Sequence, residues 1–429
     1  MATAQPQAYR DAYQRMFDAA APLIRLTTAY DAENAISTLL GAVYAQSYPI
    51  GRRETVTSFL DGFVKYLGSR RSNESWAVLA GLAAVAPGTA GRRAAQTAHR
   101  FAVCDLTGPP WLHQAGQVRC TGAWQVRDEY GDQTHYVVAY DYHVPIVGGP
   151  EHAIGVLIDH NRRLVTDLLV HYSAEETLAG WRRAADGTAG HVTVVSVDPE
   201  VVRAESEPLL LRTEELPEPP GGQRFVNNWG FVAARLALLP ETGLSSAPPD
   251  AAAREAVVRE FLESPDARRV IREMKPSVSD AAEVVGDAAR LAVAYAVDSN
   301  SGDPYHWSPT AATDMLLEWA PTRRDLPPDV VAWLPDVLDA FVMHAADRRD
   351  LSEPATLATR MAVAGASREY PSRMLGETNG ESMDVVLERM MADGVDPADE
   401  AAARQWLAGY LEERTGSAQD PGSPEGRRE

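Results

Sequence analysis

Lysine is nearly absent from this 429-residue chain, which has only Lys65 and Lys275. Neither follows a glycine-rich loop, so no Walker-type phosphate loop is present. Any Schiff-base lysine would have to be one of the two. Cysteine is as scarce, with Cys104 and Cys120 alone. Two thiols in a chain of this size do not make a disulfide framework, and a reducing cytoplasm is the expected compartment. Cys104 follows an apolar helical pattern and Cys120 sits in a strand pattern. Both read as small buried apolar residues rather than nucleophiles. No run of about 18 apolar residues occurs, so no transmembrane helix is expected. The opening MATAQPQAYRDAYQRMF lacks a cationic start followed by an apolar stretch, so no signal peptide is expected either.

Positive charge is also in deficit: 40 Lys and Arg stand against 60 Asp and Glu, a net of -20. Such a chain repels phosphate backbones and anionic lipid surfaces, so neither nucleic acid nor membrane is an expected partner. From Arg224 onward there are 21 basic and 35 acidic residues, which places most of the excess in the C-terminal half. That half reads as solvated helix faces, with a docking surface for a basic partner as the functional alternative. Apolar content of 45% and charged content of 23% are those of an ordinary globular protein long enough for two or three cores.

What is present is a change of hydrophobic period. Residues 8–103 repeat apolar positions at three- and four-residue spacing, as in Ile36, Leu39, Leu40 and Val43, and predict about five helices. Asp31 is the expected cap of the second helix, and Gly68 and Gly88 are expected helix stops. After Pro109 and Pro110 the period becomes two, predicting an antiparallel four-stranded meander with strands around 118–126, 136–144, 152–159 and 163–170. Val192, Val194 and Val197 suggest a fifth strand. Ser173 with Glu176 forms a capping box for one helix, and Asp198-Pro199 starts another. The pattern then turns helical to about residue 411. The fold class is therefore α+β: an N-terminal helical bundle, a central antiparallel β-meander with one or two helices, and a C-terminal all-helical domain. The expected divisions are 1–108, 109–216, a linker at 217–224, a helical domain at 225–415 and a disordered tail at 416–429.

Eight of the ten histidines lie between His99 and His191, and five of them between His135 and His171. Histidine is a common metal ligand and titrates near neutrality. By strand parity His135, Asp141 and His143 share one face, and Asp167 and His171 join it in the register expected for the next hairpin. These five residues have the ligand types for zinc or a similar ion, but their spacing matches no established ligand pattern. The opposite face of that strand, Tyr136 to Val144 at period two, is apolar and is the better core face. The histidine face is thus expected to be solvated. A second candidate is the turn Asp159, His160, Asn161. There the aspartate can accept a backbone N–H and the asparagine can take a left-handed conformation. That turn sets Asp159 opposite Arg163 and needs no chemistry to explain it. A third candidate is Tyr305, His306 and Trp307, a groove for a peptide partner or, more blandly, a staple ahead of a helix that Ser308 and Pro309 open. No Gly-x-Ser-x-Gly elbow is present.

The chain resembles a family of actinobacterial proteins of unknown function. The resemblance rests on Ala29 to Gly41, Pro109-Pro110-Trp111, Asp128 to Asp132, Glu151 to Asn161, Trp307 to Trp319 and Leu334 to Leu338. It spans about residues 29–350 and implies one recurring architecture rather than a fusion. It carries over no activity, ligand or site. After Asp159-His160-Asn161 this chain has Arg162 and Arg163 where similar sequences have small residues, which speaks against a tight backbone approach to a ligand there.

No cofactor motif is present, and none is expected. The expected function is a cytosolic, non-enzymatic protein that binds or regulates a protein partner. The alternative is a metal-dependent or His/Asp-dependent enzyme with its site on the sheet face.

Overall fold

The computed structural model describes residues 7–187, 192–241, 248–323, 325–379 and 389–396, with 402, 403, 405–407, 409 and 410. The chain forms two compact units, Met1–Ser246 and Ala247–Glu429. The break therefore falls later than the 217–224 linker suggested by sequence, because the helix after that segment packs back onto the first unit. The expected tail at 416–429 lies outside the described residues, as does about half of the stretch from 380 to 411 that ends the expected helical pattern.

The first unit opens with five helices: α1 (Gln7–Ala20), α2 (Ala29–Gln46), α3 (Arg52–Gly68), α4 (Asn73–Val85) and α5 (Gly88–Phe101). Thr28, not Asp31, caps α2 by accepting the Asp31 N–H at 3.2 Å, leaving Asp31 in the first turn. Gly88 opens α5 instead of ending α4. Five strands follow: β1 (Val118–Asp128), β2 (Gln133–Tyr142), β3 (His152–Asp159), β4 (Leu164–His171) and β5 (Val192–Ser196). The one-turn helix α6 (Pro145–Gly148) joins β2 to β3, and α7 (Ala174–Gly187) joins β4 to β5. Ser173 caps α7 by accepting the Glu176 N–H at 3.3 Å. The sheet order is β4-β3-β2-β1-β5, an antiparallel meander with β5 returning to the free edge of β1. Two further helices, α8 (Pro199–Glu214) and α9 (Gly222–Ala237), complete the unit.

Period-two alternation gives each strand two faces. Tyr136, Val138, Tyr140 and Tyr142 of β2, with Ile154, Val156 and Ile158 of β3, enter the main core with α2, α4 and α9. The other face carries a smaller apolar cluster, Val126, Val137, Ala139 and Ala153, closed by Ala174, Leu178 and Trp181 of α7. The face expected to be solvated is thus covered by a helix.

Helix α9 is held against α2 by close approach. A Cβ on Gly41 would lie 2.5 Å from the Val226 carbonyl oxygen. Nearby, the Ser37 hydroxyl donates to the Asn227 carbonyl at 2.7 Å and accepts the Phe231 N–H at 2.9 Å. The turn between α2 and α3 is fixed as firmly. Gly51 takes a left-handed φ of 68°. The buried Arg52 then donates to the carbonyls of Glu214, Leu216 and Pro217 at 2.9, 3.0 and 3.3 Å, satisfying groups that the end of α8 leaves open.

The second unit is helical: α10 (Ala251–Leu262), α11 (Pro265–Met274), α12 (Ala281–Ala294), α13 (Pro309–Asp314), α14 (Pro328–Arg348) and α15 (Glu353–Asn379). Both α12 and α13 run on into π-turns, Tyr295–Ser299 and Met315–Trp319. The turns meet through the Tyr295 and Trp319 rings, 5.5 Å apart, and a 2.9 Å bond from Trp319 Nε1 to Ser299 Oγ. No helix among the described residues is long and apolar enough to cross a membrane.

Gly41→Ala should cost about 2 kcal/mol, because the obstructing atom belongs to a backbone carbonyl and the two helices must separate. Urea denaturation measures this. A loss within about 0.5 kcal/mol, the size of an ordinary surface change, would show that the approach is not tight.

Candidate functional site

A polar cluster of the first unit lies inside the main core. Glu33 of α2, Tyr142 of β2, His152 of β3 and Arg235 of α9 are all buried, with Glu33, His152 and Arg235 at 0% exposure. Arg235 Nη2 donates to Glu33 Oε2 at 2.5 Å and to the Tyr142 hydroxyl at 3.0 Å. The Tyr142 hydroxyl donates to the same carboxylate oxygen at 3.0 Å, and Glu33 Oε1 accepts the Gly116 N–H at 2.8 Å. Arg235 Nε donates to His152 Nε2 at 3.2 Å, which leaves the His152 proton on Nδ1, facing the Pro150 carbonyl at 3.3 Å. Burial and the adjacent guanidinium depress His152 to about 3, so it is neutral at pH 7. Arg235 Nη1 is buried without a hydrogen-bond partner.

Sequence reasoning missed this cluster. The available signal was Glu33 at core spacing among Ala29, Ala32, Ile36 and Leu40, and Arg235 between the buried Phe231 and Leu236. Each charge sits on an apolar helix face, but only the tertiary fold reveals that they pair.

Of the five residues expected on the polar sheet face, the structure brings together two, His135 and His171. Their rings are 5.8 Å apart above Gly155, where a Cβ would lie 2.5 Å from one Nε2 and 2.8 Å from the other. Both Nε2 atoms are buried and unpartnered. The indole N–H of Trp181 in α7 donates to His135 Nδ1 at 3.0 Å. That bond puts the proton of neutral His135 on Nε2, making Nε2 a donor rather than a free metal ligand. Burial and, secondarily, His171 depress His135 to about 3, and burial lowers His171.

The other three lie elsewhere. Asp141 is six residues along β2 from His135, about 20 Å at strand rise, and faces Arg119 at 3.6 Å. His143 lies beyond the end of β2 and is exposed. Asp167 pairs with Arg224 of α9 and accepts the Leu168 N–H at 2.9 Å. Asp167 keeps the strand parity of His171, opposite Leu157 as His171 is opposite Ala153, but its carboxylate is taken up by Arg224. A bulge at Thr166 just before it shifts only Val165 and Leu164, which pair with Ile158 and Asp159. The five do not form one ligand set. Among the described residues, no group of three or more His, Cys, Asp or Glu is placed to hold a metal.

The turn after β3 is longer than expected. Asp159 pairs with Leu164, not Arg163, and the left-handed residue is Arg163 (φ 55°) rather than Asn161. Asp159 Oδ1 accepts the Arg162 N–H at 3.0 Å, and His160 faces Thr134 Oγ1 at 2.9 Å. The residues expected to line a partner groove in the second unit are instead packed: His306 and Trp307 are buried, and the Tyr305 hydroxyl donates to Glu260 at 3.2 Å. Ser308 caps α13 as expected, accepting the Ala311 N–H at 3.1 Å. Cys104 and Cys120 are free thiols and only partly buried.

A concave surface of the first unit lies elsewhere. An open groove of about 1070 Å³ runs between α1, α2 and α3. Tyr13, Met16, Leu39, Val43 and Phe59 line its apolar part, with Tyr9 and Tyr48 at its rim. Tyr48 is 78% exposed, and the neighbouring Ile50 is 81% exposed.

Comparisons with protein-family models, with curated proteins and with solved structures give no match to this chain.

Two outcomes check the buried groups. Replacing Arg235 by Met alone should cost about 3–5 kcal/mol by stranding the Glu33 carboxylate, and Glu33→Leu with Arg235→Met should recover much of that loss. A double-variant loss equal to the sum of the two single-variant losses would show that the pair is not coupled. The second outcome concerns pH. His135 and His152 bind a proton in the unfolded chain near 6.5 but in the folded chain only near 3. Their contribution to stability is therefore complete above about 6.5 and is lost as pH falls toward 3, by up to about 1.4 kcal/mol per pH unit for each group. Urea titrations at stepped pH should show this slope, and His135→Gln should reduce it. An unchanged slope would remove His135 from the account.

Proposed function

We propose that this chain is a non-enzymatic protein that binds a protein partner, and that the groove between α1, α2 and α3 receives a segment of that partner. The groove carries this reading. Its volume is at the upper end of the range for small-molecule pockets, and it is not enclosed, which suits a peptide better than a buried metabolite. The exposed Tyr9 and Tyr48 at the rim are of the residue type enriched at the centres of protein interfaces. The firm anchoring of the α2–α3 turn by Arg52 means that the groove is shaped before anything binds, which lowers the ordering cost of association. Two unpaired thiols support a reducing, cytoplasmic setting.

The alternative, His/Asp chemistry on the sheet face, would rest on His135 and His171 alone. Trp181 engages one of them, and the aspartates lie elsewhere, which supports the binding reading over it.

Selection of a displayed random-peptide library on the full chain tests the proposal. Enriched peptides should bind the native protein and lose at least about tenfold in affinity on Ala42→Glu, which puts a charge on an exposed lining position without touching the core. Enriched peptides indifferent to Ala42→Glu would place binding elsewhere.

A further inference from the structure

We infer that the segment received by this groove is acidic: an amphipathic helix of a partner protein, with its apolar stripe on α1 and α2 and carboxylates along its edge. This rests on the partner-binding reading above and adds the partner's chemistry to it.

The shape argument comes from helical spacing. Tyr9, Ala12, Met16 and Ala19 line the groove from α1, recurring every three or four residues along one face. From Tyr9 to Ala19 that face runs about 15 Å, room for about ten residues of a second helix. Leu39 and Val43 provide the facing wall from α2, again one turn apart. A helix with apolar residues at i, i+3 or i+4, and i+7 has the matching stripe.

The charge argument comes from what surrounds that stripe. A recess of about 410 Å³ between α3 and α5 continues the groove, sharing Asp61, Lys65 and Arg93 with it. Across the two, the charged lining is Arg15, Lys65, Arg93 and Arg100 against Glu54 and Asp61. Asp61 is already engaged by Arg93 in an ion pair. Residues 1–108, which include the helices around this lining, carry 11 basic and 8 acidic side chains, so the lining belongs to a locally cationic stretch of a chain that is at -20 as a whole. One of the two lysines in the sequence, Lys65, stands exposed where groove and recess join. A local cationic edge on an acidic protein steers an acidic ligand to this place and discourages it elsewhere on the surface. Nucleic acid fits less well, because four cations beside two carboxylates leave few phosphates neutralised against the repulsion of the rest of the chain.

The test uses three fluorescein-labelled synthetic peptides of about three to four helical turns. All carry leucine at i, i+3, i+4 and i+7, and the flanking positions hold glutamate, glutamine or lysine. Anisotropy titration on the full chain at low salt should rank them glutamate, glutamine, lysine, with about tenfold or more between the extremes. Added salt should narrow that ratio, and Arg15→Glu with Lys65→Glu, both at exposed positions, should abolish or reverse it. Equal binding of all three, lost in each case on Ala42→Glu, would overturn the acidic partner and leave the groove as a peptide site. Peptide binding indifferent to Ala42→Glu would overturn the groove reading and the inference with it. A single-stranded oligonucleotide that displaces the glutamate peptide would instead assign the cationic edge to phosphates. A concentration-dependent dimer lost on Ala42→Glu would assign the groove to a second copy of the chain.

Discussion

The first unit is organised around one buried ion pair, Glu33 with Arg235. Moving both charges out of water is costly, and the pair is tolerated only because neighbouring groups complete it. The neighbours are the Tyr142 hydroxyl, His152 Nε2 and the Gly116 N–H, drawn from β2, β3 and the segment leading into β1. A single carboxylate and a single guanidinium thereby fix α2, α9 and the sheet relative to one another with hydrogen-bond precision. Apolar packing alone is less directional. The glycine contact at Gly41 and the Ser37 bridge then set how close α2 and α9 approach.

The same arrangement accounts for the asymmetry of the sheet. The face bearing the ion pair joins a large core built from α2, α4 and α9. The other face is covered by α7 over a small cluster and one hydrogen bond between side chains, Trp181 to His135. Both faces bury a histidine in neutral form, but for different reasons. His152 is held neutral by burial beside a permanent cation, and His135 by burial beside a second imidazole. The buried histidines of that stretch, His135 and His152, thus sit in two environments that share no chemistry.

Much of this fold was legible in the sequence because it depends on short-range physics. The change from helical to alternating period located the sheet, and the apolar row from Tyr136 to Tyr142 identified its core face. Ser173 and Ser308 cap the helices they were expected to cap. What was not legible depends on tertiary context. The Pro- and Gly-rich stretch at 217–224 looks like a domain linker, yet Phe225, Trp229 and Val232 beyond it are buried in the first unit's core. The ion pair that takes Asp167 to Arg224 joins two distant parts of the chain, and no local residue preference announces it. The cover over His135 could not be anticipated either, since α7 follows the strands it shields. The groove comes from three helical faces that are each unremarkable alone.

Arg52 has a consequence for the order of assembly. It opens α3, yet the carbonyls it satisfies belong to residues more than 160 positions later in the chain. During synthesis, the five N-terminal helices emerge well before the end of α8 and well before Arg235. Until then Arg52 and Glu33 are charges without their native partners, which keeps the α2–α3 turn and the apolar face of α2 from settling into their final packing. The helices that form the groove are made first and are locked last, so this unit folds as a whole through its longest sequence separations rather than from its N-terminus inward.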